Sequence, residues 1–214
     1  MAREGLPIIL AAWIIVLIIA GLALYFQNRP MMIAAVVCVL LGLFVLYFFR
    51  DPQRAIPANP AAYVSPADGR VIQICEVDET EFIKGKALRI SIFLSVFDVH
   101  VNRIPMGGTV RYKHYNKGKF LAAWNEKASL DNEQTAIGIE CDGGTRILVK
   151  QIAGLIARRI VCHADSGMTF KTGDRFGLIR FGSRTDLFLP PESRLAVKVG
   201  DTVRGGSTII GERK

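Results

Sequence analysis

Two apolar runs at the start of the chain constrain its architecture more than any other feature. Pro7 to Phe26 is twenty residues without a charge, and Met31 to Phe49 is nineteen more. A helix needs about 20 apolar residues to cross about 30 Å of hydrocarbon, and it satisfies its own backbone polar groups while doing so. Gln27-Asn28-Arg29-Pro30 separates the runs, and its proline is expected to stop the first helix. Residues 1–49 therefore read as a membrane helical hairpin, 7–26 and 31–49, with both ends on one side. A cleaved signal peptide fits poorly, because the first run is long for a signal core and no small-x-small site follows it.

Orientation follows from few charges. Arg3, Arg50 and Arg54 flank the hairpin, against Arg29 alone in its loop. The positive-inside rule places both ends, and everything after residue 49, on the cytoplasmic side of the cell membrane. Cys38, Cys75, Cys141 and Cys162 show no paired spacing and no CxxC. They read as reduced thiols filling apolar space, not as disulfides or metal ligands.

Residues 50–62 contain Pro52, Pro57 and Pro60 and read as a linker, since such a stretch cannot continue a helix. Residues 63–214 are enough for one domain with its own core. Setting aside Arg3, Glu4 and Arg29 leaves 25 basic and 18 acidic residues, so +7 of the net +8 lies beyond the hairpin. No Lys/Arg run or aromatic-rich basic motif points to nucleic acid. Dispersed positive charge beside a bilayer suits anionic membrane lipids, at about 1 kcal/mol per well-placed basic residue.

Past the linker the pattern becomes short β-branched runs punctuated by glycine. Arg70–Val77, Ala87–Leu94, Thr109–His114, Thr135–Cys141, Arg146–Gln151, Phe176–Phe181 and Leu195–Val199 are the candidate strands. The spacing leaves no room for repeated crossover helices, which favours an antiparallel sheet. Leu155 to Val161 fits a short helix, although periodicity does not settle it. Val199-Gly200-Asp201-Thr202-Val203-Arg204-Gly205, with Gly173-Asp174-Arg175-Phe176-Gly177, looks like the Gly-Asp turns of lipoyl-type barrel-sandwich folds. The fold expected is thus mostly β (α+β), a transmembrane hairpin followed by a single antiparallel, barrel-sandwich-like domain. No lysine stands at a hairpin tip as a carrier would need.

Three histidines can be weighed singly. His100 follows the apolar run Ile90–Leu94 and is well placed to reach a cleft, although a structural role is as natural. His114 sits in a polar stretch and reads as a surface residue. His163 fits a cleft or a turn equally well. Asp68 occupies a Pro-Ala-Asp-Gly turn, where aspartates usually bond their own backbone. Asp131-Asn132-Glu133 is a polar cluster that reads as a loop. No third ligand joins His100 and Asp68 at a useful spacing for zinc, so no metal is expected, and no phosphate loop is present.

Gly182-Ser183 lies near the C-terminus between two short apolar segments. Glycine leaves its carbonyl open to attack and its backbone free to strain, so a serine after it is suited to cutting its own chain. Ser65-Pro66-Ala67-Asp68-Gly69, Phe97-Asp98-Val99-His100-Val101-Asn102-Arg103 and Phe181-Gly182-Ser183-Arg184, behind paired apolar segments, together resemble the short, membrane-associated phosphatidylserine decarboxylase proenzymes.

The resemblance implies autocatalytic cleavage between Gly182 and Ser183 into a β chain, 1–182, and an α chain, 183–214, which stay together. It implies that Ser183 becomes a covalent pyruvoyl cofactor forming a Schiff base with phosphatidylserine, which is decarboxylated to phosphatidylethanolamine. It also implies catalytic roles for His100 and Asp68. The longer branch of the family carries Leu-Gly-Ser-Thr at the cut and a second histidine where Arg103 stands here. A homo-oligomer is one arrangement open to such a chain. The rival readings are a membrane-anchored zinc peptidase using His100, Asp68 and His163, and a non-enzymatic lipoyl-like adaptor; neither accounts for Gly182-Ser183.

Overall fold

The computed structural model describes residues 1–118, 132–154, 159–180 and 183–214. The chain forms two compact units, Met1–Pro52 and Gln53–Lys214.

In the first unit a short 3-10 turn leads into α1 (Leu6–Phe26), which is followed by α2 (Arg29–Phe48). Gln27 ends α1 in the left-handed conformation, φ 50°, with its amide on the Ala23 carbonyl. Asn28 is extended, and Pro30 lies in the first turn of α2. The proline therefore opens the second helix instead of stopping the first, at a position where its missing N–H has no helical acceptor to lose. The hairpin's ends meet through the Ala2 amide and the Phe49 carbonyl at 2.8 Å. Both helices are long and apolar enough to cross a membrane. Leu17, Leu24 and Ile33 are each about two-thirds or more exposed, which is unlike the core helix of a water-soluble protein.

The second unit is built of strands joined antiparallel throughout the described residues. In chain order they are β1 (Ala62–Val64), β2 (Gly69–Glu79), β3 (Gly85–Leu94), β4 (Val101–Arg103), β5 (Gly108–Asn116), β6 (Gln134–Cys141) and β7 (Arg146–Ala153). Then follow β8 (Ile160–Cys162), β9 (Thr169–Phe170), β10 (Arg175–Ile179), β11 (Ser183–Leu189), β12 (Arg194–Leu195), β13 (Thr202–Val203) and β14 (Ile209–Glu212). The large sheet runs β13-β2-β3-β11-β7-β6-β5-β9, and two smaller ones run β4-β10-β8 and β1-β14-β12. The arrangement is sandwich-like and does not close into a barrel. Ile90, Ile92 and Leu94 on β3, Ile137 and Ile139 on β6, Val149 on β7 and Leu187 on β11 fill its core with Phe176 and Ile210. They alternate along their strands as a half-covered sheet requires.

Most expected strands appear within a residue or two of their sequence limits. Leu195–Val199 does not: only Arg194–Leu195 pairs there, on β14. Ile160 and Val161, inside the stretch that fitted a helix, belong to β8 and pair with β10; 155–158 lie outside the described residues, as does Phe181.

Strand β11 was not expected at all, yet it lies between β3 and β7 in the large sheet. Four of its seven residues are polar, and all seven are buried. Arg184 and Asp186 share one face and form a two-pronged ion pair, Nε to Oδ1 and Nη2 to Oδ2, both 2.7 Å. Mutual pairing offsets the desolvation that would otherwise exclude these two charges from the interior.

Candidate active site

Strand register locates the site. Residues directly opposite across antiparallel strands point to the same face, as do residues two apart along one strand. Ser183 pairs with Leu94 on one side and Ala153 on the other, and the Ala153 amide donates to the Glu133 carbonyl at 2.9 Å. Ser183, Ala153 and Glu133 therefore form one row across the end of the large sheet. The next row along the strands is Thr185, Gln151 and Thr135.

The β4-β10-β8 sheet covers both rows. Asn102 Nδ2 donates to Thr185 Oγ1 at 3.2 Å, and Gln151 Nε2 donates to Asn102 Oδ1 at 2.8 Å. Gly177, paired with Asn102 and Cys162, lies against Gln151: a Cβ there would be 2.9 Å from Nε2 and would collide with the Val161 carbonyl. Only glycine admits this approach. Ile179 packs on Ala153 and Ile160, and the Ile160 amide reaches Glu133 Oε1 at 3.4 Å. Ile179 also donates its amide to the His100 carbonyl at 3.3 Å. The upper row His100, Ile179, Ile160 thus follows the lower row Ser183, Ala153, Glu133, which sets His100 at the same end of its row as Ser183.

Both residues are fully buried. Ser183 Oγ has no hydrogen-bond partner among the described residues. The Nδ1 atom of His100 is 3.0 Å from the Asp98 carbonyl. A carbonyl only accepts, so Nδ1 carries the hydrogen and, in the neutral ring, Nε2 is the basic nitrogen. Gly182 lies outside the described residues.

Asp68 is near this site but is not bonded to His100. Its carboxylate accepts from Arg54 Nη2 at 2.7 Å and from the Gly205 amide at 2.8 Å. Burial pushes its pKa above the usual carboxylate value, opposed by Gly205 and Arg54 and aided by Asp98. Its turn reaches β4 through Pro66, whose carbonyl accepts from the Arg103 amide at 2.9 Å and from Asn102 Nδ2 at 3.5 Å. Gly69 closes the turn at φ 145°, where a Cβ would strike the Phe93 carbonyl. Arg103 is buried and holds the Gly173 carbonyl at 3.0 Å.

His114 and His163 are both exposed, the first stacked on Tyr112 with centroids 6.4 Å apart. Among the described residues no three His, Cys, Asp or Glu side chains gather as a metal site would need, and the zinc-peptidase reading finds no support. All four cysteines are free thiols; burial pushes Cys141 up to about 12.

Asn102, Gln151 and Thr185 were missed by sequence reasoning, although they tie the two layers together at the site. The signal available was positional: Asn102 is two residues on from His100, and Thr185 is two on from Ser183.

Fold and site together define an antiparallel β enzyme that follows an apolar helical hairpin in the chain, with a buried serine and a buried histidine. The family described as phosphatidylserine decarboxylase matches residues 41–211. The phosphatidylserine decarboxylase proenzyme of Symbiobacterium thermophilum is 49% identical over 211 residues, covering 99% of this chain and 94% of that one. Those of Desulfotalea psychrophila and Nitrosomonas europaea are 46% and 43% identical over 212 residues, each covering 99% of this chain and 96% and 94% of their own. The chain belongs to the phosphatidylserine decarboxylase family.

Proposed function

We propose that this protein is a self-processing proenzyme that decarboxylates phosphatidylserine to phosphatidylethanolamine through a pyruvoyl group derived from Ser183. The observation that carries the reading is Ser183 Oγ, buried at the head of a central strand and without a partner among the described residues.

Ser183 Oγ attacks the Gly182 carbonyl while His100 Nε2 takes the hydroxyl proton, and an N-to-O acyl shift gives an ester. β-Elimination then breaks the Cβ–O bond and leaves residues 1–182 with a free carboxylate. The dehydroalanine left at 183 hydrolyses to a pyruvoyl group and ammonia. A carbonyl at that position supplies an electron sink for loss of CO2 from a substrate amine bound to it. Ala153 and Leu94, paired on either side of residue 183, hold it in the sheet. His100, dry and oriented by the Asp98 carbonyl, is suited to return a proton to the substrate α-carbon. Asp68 acts at a distance, keeping its turn packed on β4 through Pro66.

The apolar hairpin keeps the catalytic unit tethered to the membrane in which its substrate resides. The charge bias of Arg3, Arg50 and Arg54 favours the cytoplasmic side.

Intact mass tests the reading. Purified protein should consist of two fragments meeting at 182/183, with the smaller one blocked at its N-terminus and reactive to phenylhydrazine. Ser183→Ala should give one uncut, inactive chain. A Ser183→Ala chain that still matures and turns over phosphatidylserine would overturn the assignment.

A further inference from the structure

The chemistry proposed for Ser183 and His100 leaves the charge pair beside them without a part. Arg184 follows Ser183 directly, and the side chains of Arg184 and Asp186 are each 1% exposed. Successive strand residues point to opposite faces. Thr185 shares the face of Ser183 and bonds Asn102 on β4, so Arg184 and Asp186 point away from the β4-β10-β8 layer. Neither side chain lies on the side of the serine hydroxyl, and any service they give residue 183 is one of position.

The pair is built for position. The Arg184 fork holds both carboxylate oxygens of Asp186 at 2.7 Å, and two parallel charge-assisted bonds fix orientation as well as distance. The partners stand two residues apart on one strand, so the pair joins no distant segments; it fixes the path of β11 from 184 to 186. A buried ion pair contributes little more stability than apolar residues of the same volume. What apolar residues would not reproduce is the directional hold on the backbone next to residue 183.

The proposed cut changes what residue 183 needs. In the proenzyme the chain tethers it on both sides. Afterwards it is a chain end, its nitrogen has left as ammonia, and its one covalent tie is to Arg184. Chain ends fray unless they are held. We propose that the Arg184–Asp186 pair is a clamp that keeps the pyruvoyl end of the α chain in its strand after the cut. Arg184 and Asp186 are then positioning residues for turnover and not for self-cleavage. The inference rests on the pyruvoyl reading and deepens it.

Two variants test it. Arg184→Lys keeps the charge but cannot form the fork, and Arg184→Met with Asp186→Leu replaces both charges by apolar side chains, an exchange that buried pairs often tolerate. Both should cut at 182/183 at close to the wild-type rate. In a Ser183→Ala background the double variant should keep the Tm of Ser183→Ala alone. Yet kcat for phosphatidylserine in mixed micelles should fall about ten- to a hundredfold with KM little changed, the loss expected for a reacting group about 1 Å out of place. Phenylhydrazine should label the loosened carbonyl faster than it labels wild type, so labelling and turnover move in opposite directions.

Wild-type kcat in the double variant would overturn the clamp, because the pair would then serve packing alone. Cutting slowed as much as turnover would overturn it too, by placing the pair in assembly of the proenzyme. Should the double variant fail to mature, Arg184→Lys carries the same readings, and failure of both to mature likewise assigns the pair to assembly. A wild-type protein that stays one chain and does not react with phenylhydrazine overturns the pyruvoyl reading itself, and the clamp falls with it.

Discussion

Asn102 offers the sharpest test of how the two layers are held over Ser183. It is fully buried and bonds Thr185, Gln151 and, more weakly, the Pro66 carbonyl. Asn102→Ala strands the Gln151 amide and removes the donor to Thr185, at about 1–3 kcal/mol for each buried group left unsatisfied. Pro66 keeps its bond from the Arg103 amide and adds little. The total of about 2–6 kcal/mol lies at or below the low end of the 5–15 kcal/mol stability of an ordinary domain, so a folded variant is expected. At about 2–4 °C per kcal/mol for a unit of this size, Tm should drop by about 4–24 °C. That measurement belongs in a Ser183→Ala background, where every molecule is uncut. Because His100 lies two residues before Asn102, loosening β4 should also misplace the imidazole, and a shift of 1 Å can cost about a hundredfold in rate. A gel time course of chain cutting after cell-free synthesis reads this directly. A Tm that falls as expected with cutting at the wild-type rate would refute the claim that this network positions His100. An unchanged Tm would refute the network itself.

His100→Ala should slow both cutting and turnover in the matured fraction, the latter by about 10²–10⁴-fold; normal values for both would remove the residue from the mechanism. Glu81 gives a pH signature. Burial tends to raise its pKa, but its bonds to Lys150 and Tyr112 and the charge of Lys150 lower it overall. A lowered folded value contributes stability above the usual carboxylate pKa that is lost as pH falls through the folded one. Wild type should therefore be modestly more stable than Glu81→Gln at pH 7, with the gap closing as acid protonates the carboxylate; a gap that did not shrink in acid would contradict this.

What the sequence made legible follows from how each element announces itself. The hairpin is written in composition, because nothing but a helix tolerates twenty apolar residues in lipid. Strands such as Arg146–Ala153 and Gln134–Cys141 are written in β-branched alternation. β11 is not. Its Ser183, Arg184, Thr185 and Asp186 look like a surface loop, and they become interior only because Arg184 meets Asp186 and Thr185 meets Asn102, 83 residues away. The site divides in the same way. Ser183 and His100 were found through short motifs with a recognisable order. Gln151 and Glu133 carry their meaning in register alone, which no local spacing encodes. The proline in the hairpin loop was read as a terminator when its fixed φ makes it an initiator, since proline suits either side of a helix boundary.

The position of β11 bears on the order of events in the protein's life. Residues 183–214 supply β11, clasped between β3 and β7, as well as β13 on β2 and β14 on β1. A short peptide beginning at residue 183 has no slot to enter once the rest has closed, and the rest has no reason to close without it. The proposed cut must therefore come after assembly, and only a correctly assembled chain brings the imidazole and hydroxyl together. Maturation then acts as an internal proof of folding: a misassembled copy remains intact and inert, and a finished one, having severed its own backbone, holds no covalent route back to the assembly that made it.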